Sequence, residues 1–158
     1  MQALDNSNSV GEAKTHPHPQ PTSLPKTLTR SFQILSVDTD IFVQIFSDRI
    51  FFGVSQLDGK IGSYLLCEAE TSEANLKHTE YHLSTLLGNR EDSMLGVYAR
   101  TLHERIRAFP PLSDQETSKP SVILLGISLD KDKGAGPKMF RSVLDVLVDA
   151  YVDAVKEK

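Results

Sequence analysis

His78-x-Glu80-x-His82 is the sharpest candidate for chemistry in this sequence. Histidine and carboxylate side chains ligate zinc, and strand alternation would set all three on one face. Three ligands adjacent on one strand do not converge to a tetrahedron without help from elsewhere. An exposed polar strand face explains the same pattern, so no metal site is assigned. His16 and His18, set between prolines, are a weaker pair still. The single cysteine, Cys67, sits in the apolar run Tyr64-Leu65-Leu66-Cys67. A reactive thiolate needs a base or a positive charge beside it, and Glu68 has the wrong sign. Cys67 is therefore expected to be a small buried hydrophobe, and no catalytic residue is assigned.

Asp130-Lys131-Asp132-Lys133-Gly134 starts like a calcium loop. Its glycine comes one position early, and Arg141 stands where the closing glutamate belongs. Gly134-Ala135-Gly136-Pro137-Lys138 lacks the spacing and the Ser/Thr of a phosphate loop and reads as a helix start. Phe51-Phe52-Gly53-Val54 loosely evokes an RNA-stacking strand without that motif's basic residues. No cofactor is expected.

These fragments must sit on a fold that the patterning outlines. The chain has 158 residues, 39% hydrophobic and 24% charged, with formal net charge −4. That charge argues against a duplex nucleic-acid binder. One cysteine excludes an internal disulfide framework. No apolar run is long enough for a membrane span, and the N-terminus lacks a secretory pattern. The expectation is a cytoplasmic protein, with the nucleus also open, that binds neither nucleic acid nor membrane. Residues 1–29 are polar and proline-rich, which predicts a disordered tail, and residues 30–158 one domain.

From Arg30 the pattern becomes β-like. Phe32 to Val37, Ile41 to Phe46 and Ile50 to Leu57 read as strands, with Asp38-Thr39-Asp40 and Ser47-Asp48-Arg49 as turns. Asp58-Gly59 predicts a hairpin into a fourth strand near Ser63 to Ala69. His78 to Leu86 alternates as a half-solvated strand. From Ser93 to Ala108 the period turns helical, with Leu95, Tyr98, Leu102, Ile106 and Phe109 on one stripe and Asp92 or Ser93 as cap. Val122 to Leu129, almost continuously apolar, suits a central strand covered on both faces. A last helix runs from Pro137 to about Lys156. The fold class is thus α+β: an antiparallel sheet of about six strands, a meander, with two helices packed on one face.

Alternation divides the second and third strands into an aliphatic set for the helices and a second set of Phe42, Gln44, Phe46, Phe51, Gly53 and Ser55. That second set is too apolar for water and too polar for a core. Aromatics among polar groups suit a protein interface, so Phe42, Gln44, Phe46, Phe51 and Ser55 are the candidate partner-binding residues. Asp145, Asp149 and Asp153 form an acidic ridge on the last helix, and join them as a possible contact that would orient a partner.

Three stretches, in this order and spacing, resemble the proteasome assembly chaperone 3 family, in particular a plant member. They are Ile50 through Leu66, with its Gln56-Leu57-Asp58-Gly59-Lys60-Ile61-Gly62 turn; Leu86-Leu87-Gly88 followed by Val97-Tyr98-Ala99-Arg100-Thr101-Leu102; and Val122 to Leu129 running into Asp130-Lys131-Asp132-Lys133. The resemblance covers most of residues 31–150. It implies a non-enzymatic chaperone that assists formation of the 20S proteasome alpha ring. Such a protein pairs with a sister chaperone, proteasome assembly chaperone 4, or with itself, and touches alpha-type subunits. The alternative from a different class is a profilin-like or longin-like trafficking or signalling scaffold, which also pairs a sheet with helices.

Overall fold

The computed structural model describes residues 24–71, 78–109, 120–133 and 135–156. Six strands precede, separate and follow the first of two helices: β1 (Lys26–Ile34), β2 (Val37–Ile45), β3 (Ile50–Ser55), β4 (Ser63–Thr71), β5 (Thr79–Leu87), α1 (Ser93–Ala108), β6 (Val122–Ser128) and α2 (Pro137–Lys156). They form one sheet in the order β1-β2-β3-β6-β4-β5. Both helices lie on one of its faces, α2 across β1 to β3 and α1 across β4 to β6. The α+β class and the two-helix layer are as the pattern predicts.

The sheet is mixed rather than a pure meander. β6 inserts between β3 and β4, parallel to β3 and antiparallel to β4. Asp58 and Gly59 do turn the chain, both at positive φ (51° and 74°). The strands they join are nevertheless not partners, because β6 takes the place between them. The reason lies in the β6 sequence. Ile123, Leu125 and Ile127 are all but fully buried, and a strand this apolar belongs at the centre of a sheet, not at its edge.

The first hairpin turns earlier than the acidic residues suggest. Leu35 and Ser36 form a two-residue turn at φ 50° and 67°, and Asp38, Thr39 and Asp40 belong to β2. Polar composition points to Asp-Thr-Asp, but strand register wins. Thr39 is 1% exposed, donates its hydroxyl to the Val37 carbonyl at 2.9 Å, and accepts from the Gln56 amide. β1 also begins before the expected domain boundary: Lys26 to Thr29 pair with Ile45 to Phe42, and Leu28 is buried beneath the helices. The rest of the expected tail, up to residue 23, lies outside the described residues.

The core lies between sheet and helices. Val43, Phe52, Val54, Cys67, Ala99, Leu102, Ile123, Leu125, Val143, Leu144 and Leu147 are wholly inaccessible. α1 is capped by Asp92, whose carboxylate accepts from the Met94 amide at 3.1 Å. α2 opens on Pro137, where the missing N–H costs nothing.

Candidate interaction face

On the side of the sheet away from the helices, strand register assembles two rows, apolar at the centre and polar at the ends. One runs Thr29, Phe42, Gly53, Gly126, Tyr64 across β1, β2, β3, β6 and β4. The other runs Thr27, Gln44, Phe51, Leu124, Leu66, Ser84 across all six strands. Phe42 and Phe51 meet edge to face with centroids 4.7 Å apart, and Phe51 lies 6.1 Å from Tyr64. Such ring pairs are favoured by the aromatic quadrupole.

Two glycines make this surface possible. A Cβ built on Gly53 would lie 2.0 Å from Cε1 of Phe42, so the ring lies directly over the bare backbone. A Cβ on Gly126 would come within 3.1 Å of both Tyr64 Cε1 and Ile61 Cγ2. The aromatic rings therefore lie down on the sheet and form a low, broad layer. No described helix or strand covers it, and of the described loops Ile61 reaches over Gly126. β6 was expected to be covered on both faces; its helix face is buried, while Val122 and Leu124 on the other side remain partly accessible. Unpartnered apolar surface in the middle of a sheet marks an interaction site.

The candidate partner-binding residues fall into distinct places. Phe42, Gln44 and Phe51 lie in the two rows, half-buried, and Gln44 donates across to the Thr27 hydroxyl at 3.2 Å. Phe46 follows the end of β2 and is 39% exposed. Ser55 closes the same side of β3 but is buried; its hydroxyl donates to the Lys60 carbonyl and accepts from the Leu57 amide, holding the Asp58-Gly59 turn. The acidic ridge is on the opposite side of the molecule, on α2. Asp145 pairs with Arg105 of α1 and Asp153 with Arg30 of β1 at 2.7 Å, so two of its three carboxylates tie α2 to its neighbours. Asp149 is exposed.

The His78, Glu80 and His82 trio does not converge. His78 faces Glu80 at 3.7 Å, whereas His82 approaches Glu70 at 3.8 Å. Among the described residues no group of three or more His, Cys, Asp or Glu could hold a metal. Asp130 uses its carboxylate to accept from the Asp132 and Lys133 amides, which closes a turn.

One polar pair escaped sequence reasoning. Cys67 of β4 has a base beside it after all: His103 of α1, with Nδ1 3.3 Å from Sγ. Both residues are completely buried. His103 Nε2 donates to the Pro120 carbonyl at 2.9 Å, which leaves Nδ1 as the acceptor for the thiol. Burial pushes the Cys67 thiol up to about 11 and holds the His103 imidazole below its ordinary value. Both groups therefore stay neutral, and the pair bonds α1 to β4 rather than forming a thiolate–imidazolium couple. The signal was present: His103 lies one turn beyond Ala99, beside Leu102 on the buried stripe.

Comparison with known proteins accords with this frame. A chain from the crystal structure of a novel chaperone complex for yeast 20S proteasome assembly superposes with a TM-score of 0.56 at 19% identity, over 79% of this chain and 98% of that one. No curated protein matches. The proteasome assembly chaperone 3 family model matches residues 53–150, which hold the Asp58-Gly59 turn, β4, β5, α1, β6 and most of α2. On that match the chain belongs to the proteasome assembly chaperone 3 family.

Proposed function

We propose that this chain is a non-enzymatic chaperone that assists assembly of the 20S proteasome alpha ring as one half of a dimer. It joins a sister chaperone, proteasome assembly chaperone 4, or a second copy of itself, and the dimer holds an alpha-type subunit. The observation that carries the reading is the aromatic layer of Phe42, Phe51 and Tyr64 on a sheet face that no described helix or strand covers. Family membership supplies the process, and the face supplies the means. Phe46 is accessible enough to extend the contact, whereas Asp149, exposed on the helix side, lies away from it. The Cys67–His103 pair supports the non-enzymatic reading, because neither group is charged or reachable.

Co-purification from cell extract with identification by mass spectrometry tests this. Alpha-type subunits in immature rings support the chaperone. GTPases or coat proteins in their place would support a trafficking scaffold.

A further inference from the structure

The sheet ends differently at its two edges. β1 carries Lys26 and Arg30, which reach to α2. β5, the other edge, holds no lysine, arginine or proline, the residues that usually guard a free edge against strand addition. Every exposed large hydrophobic side chain that the described residues place on a strand is on β5: Leu83, Leu86 and Leu87. Leu83 stands on the helix side, opposite the buried Cys67, and is 43% exposed. Above it α1 has Gly96, where a Cβ would meet, outside its own helix, only Leu83 Cδ1 at 3.7 Å. The next residue, Val97, is exposed. This flank is a shallow apolar notch, bounded by Arg100 over the Tyr81 ring at 5.6 Å. One side of the β5 backbone also points away from the sheet. The Ala69 amide donates to the Ser121 carbonyl at 2.7 Å, so Glu68 and Glu70, its neighbours on β4, turn towards β5. Their partners His82 and Glu80, and Ser84 opposite Leu66, bond back to β4. Tyr81, Leu83 and Thr85 direct their N–H and C=O groups outwards, where no described strand pairs with them.

We infer that β5 is the seat of the alpha-type subunit: an extended segment of that subunit adds to this edge as a further strand, bonded to Tyr81, Leu83 and Thr85. The inference rests on the function proposed above and says where the dimer holds its subunit. In that reading the open face goes to the sister chaperone, so the subunit needs another surface. β5 borders the open face, since its Ser84 ends the Phe51 row. A strand added there lies beside whatever occupies that face, so both halves of the dimer grip one subunit. The neighbours define the chemistry of the segment. Alternation puts one set of its side chains over Leu83 and Gly96, which calls for an aliphatic residue. The other set lies on the open side beside Glu80. Glu70 stands directly across from Glu80, with His78 3.7 Å from Glu80 and His82 3.8 Å from Glu70. Two carboxylates face to face favour a lysine or arginine in the added strand.

Hydrogen exchange at single amides, followed by NMR, reads the edge directly. The full chain is measured alone, with purified proteasome assembly chaperone 4, and with that partner plus purified alpha-type subunits. Glu80, His82 and Ser84 should exchange slowly in all three samples. Tyr81, Leu83 and Thr85 should slow only once a subunit is added, by roughly tenfold or more. Two variants test capture. In Thr85→Pro the ring replaces an outward N–H and leaves the ladder to β4 intact. Leu83→Lys puts a charge into the notch at an exposed position and serves if the proline disturbs the fold, which a thermal melt checks. Each should lower capture of the purified subunits roughly tenfold and leave the complex with chaperone 4 unchanged. Capture by both variants at the wild-type level overturns the inference. So does a subunit complex in which the three outward amides stay fast. Protection of those amides in the free chain, or on addition of chaperone 4 alone, also overturns it, because the edge is then already occupied. If the wild type captures no subunit, the proposed function fails as well. If Phe42→Ser with Phe51→Ser abolishes capture while both edge variants retain it, the inference fails alone.

Discussion

At the scale of single residues, the open face depends on what two positions lack. Phe42 lies over Gly53 because no side chain stands there. Gly53→Ala would push the ring away, at a cost of about 1–3 kcal/mol, the range for overpacking. In a Phe42→Ala background most of that cost should vanish, and urea denaturation of the four proteins forms the cycle that measures it. Alternation in the sequence already separates Phe42 and Phe51 from the core-facing residues. It cannot show that a ring needs a neighbouring glycine, because that contact crosses between strands. The same limit hid His103. Its place on the helical stripe was legible, but its partner Cys67 lies 36 residues away. Because burial holds the folded imidazole below 6.5, the unfolded chain takes up the proton first as pH falls. Stability from this group is therefore complete above about 6.5 and declines below it. The urea midpoint should be lower at pH 5.5 than at pH 7, and His103→Gln should shrink that difference.

At the scale of elements, what the sequence patterning conveys is type and extent. α1 and α2 run where the 3.6-residue period puts them, from Ser93 to Ala108 and from Pro137 to Lys156. Pairing is harder to read, since a strand's hydrophobic pattern says how buried it is and not which strand it joins. β6 reads as central and is central, yet its parallel partner β3 lies more than 60 residues earlier in the chain. Turn chemistry misled at the first hairpin for a different reason. Leu35 and Ser36 hold positive φ without being glycine or asparagine, and Leu35 is 57% exposed. This conformation costs on the order of 1 kcal/mol per residue. Leu35→Asn with Ser36→Gly gives the turn its preferred residues and should raise stability by about 1 kcal/mol in thermal or urea unfolding. An unchanged or lower midpoint would mean that the leucine makes up the difference elsewhere.

At the scale of the whole molecule, the two faces of one sheet do different work. One face, with the helices, holds the fold; Arg30–Asp153 ties α2 to β1 and Arg105–Asp145 ties it to α1. The other presents aromatic rings laid over bare glycine backbone. Serine at Phe42 and Phe51 gives up their edge-to-face pair and half-buried ring area, so the melt should fall yet stay cooperative, while the docking surface is lost. Capture of alpha-type proteasome subunits from extract, wild type beside the Phe42→Ser/Phe51→Ser protein, tests this most directly. Recovery of those subunits by the wild type and their loss with the folded serine variant is the expected outcome; equal recovery by the two would contradict the assignment of the open face.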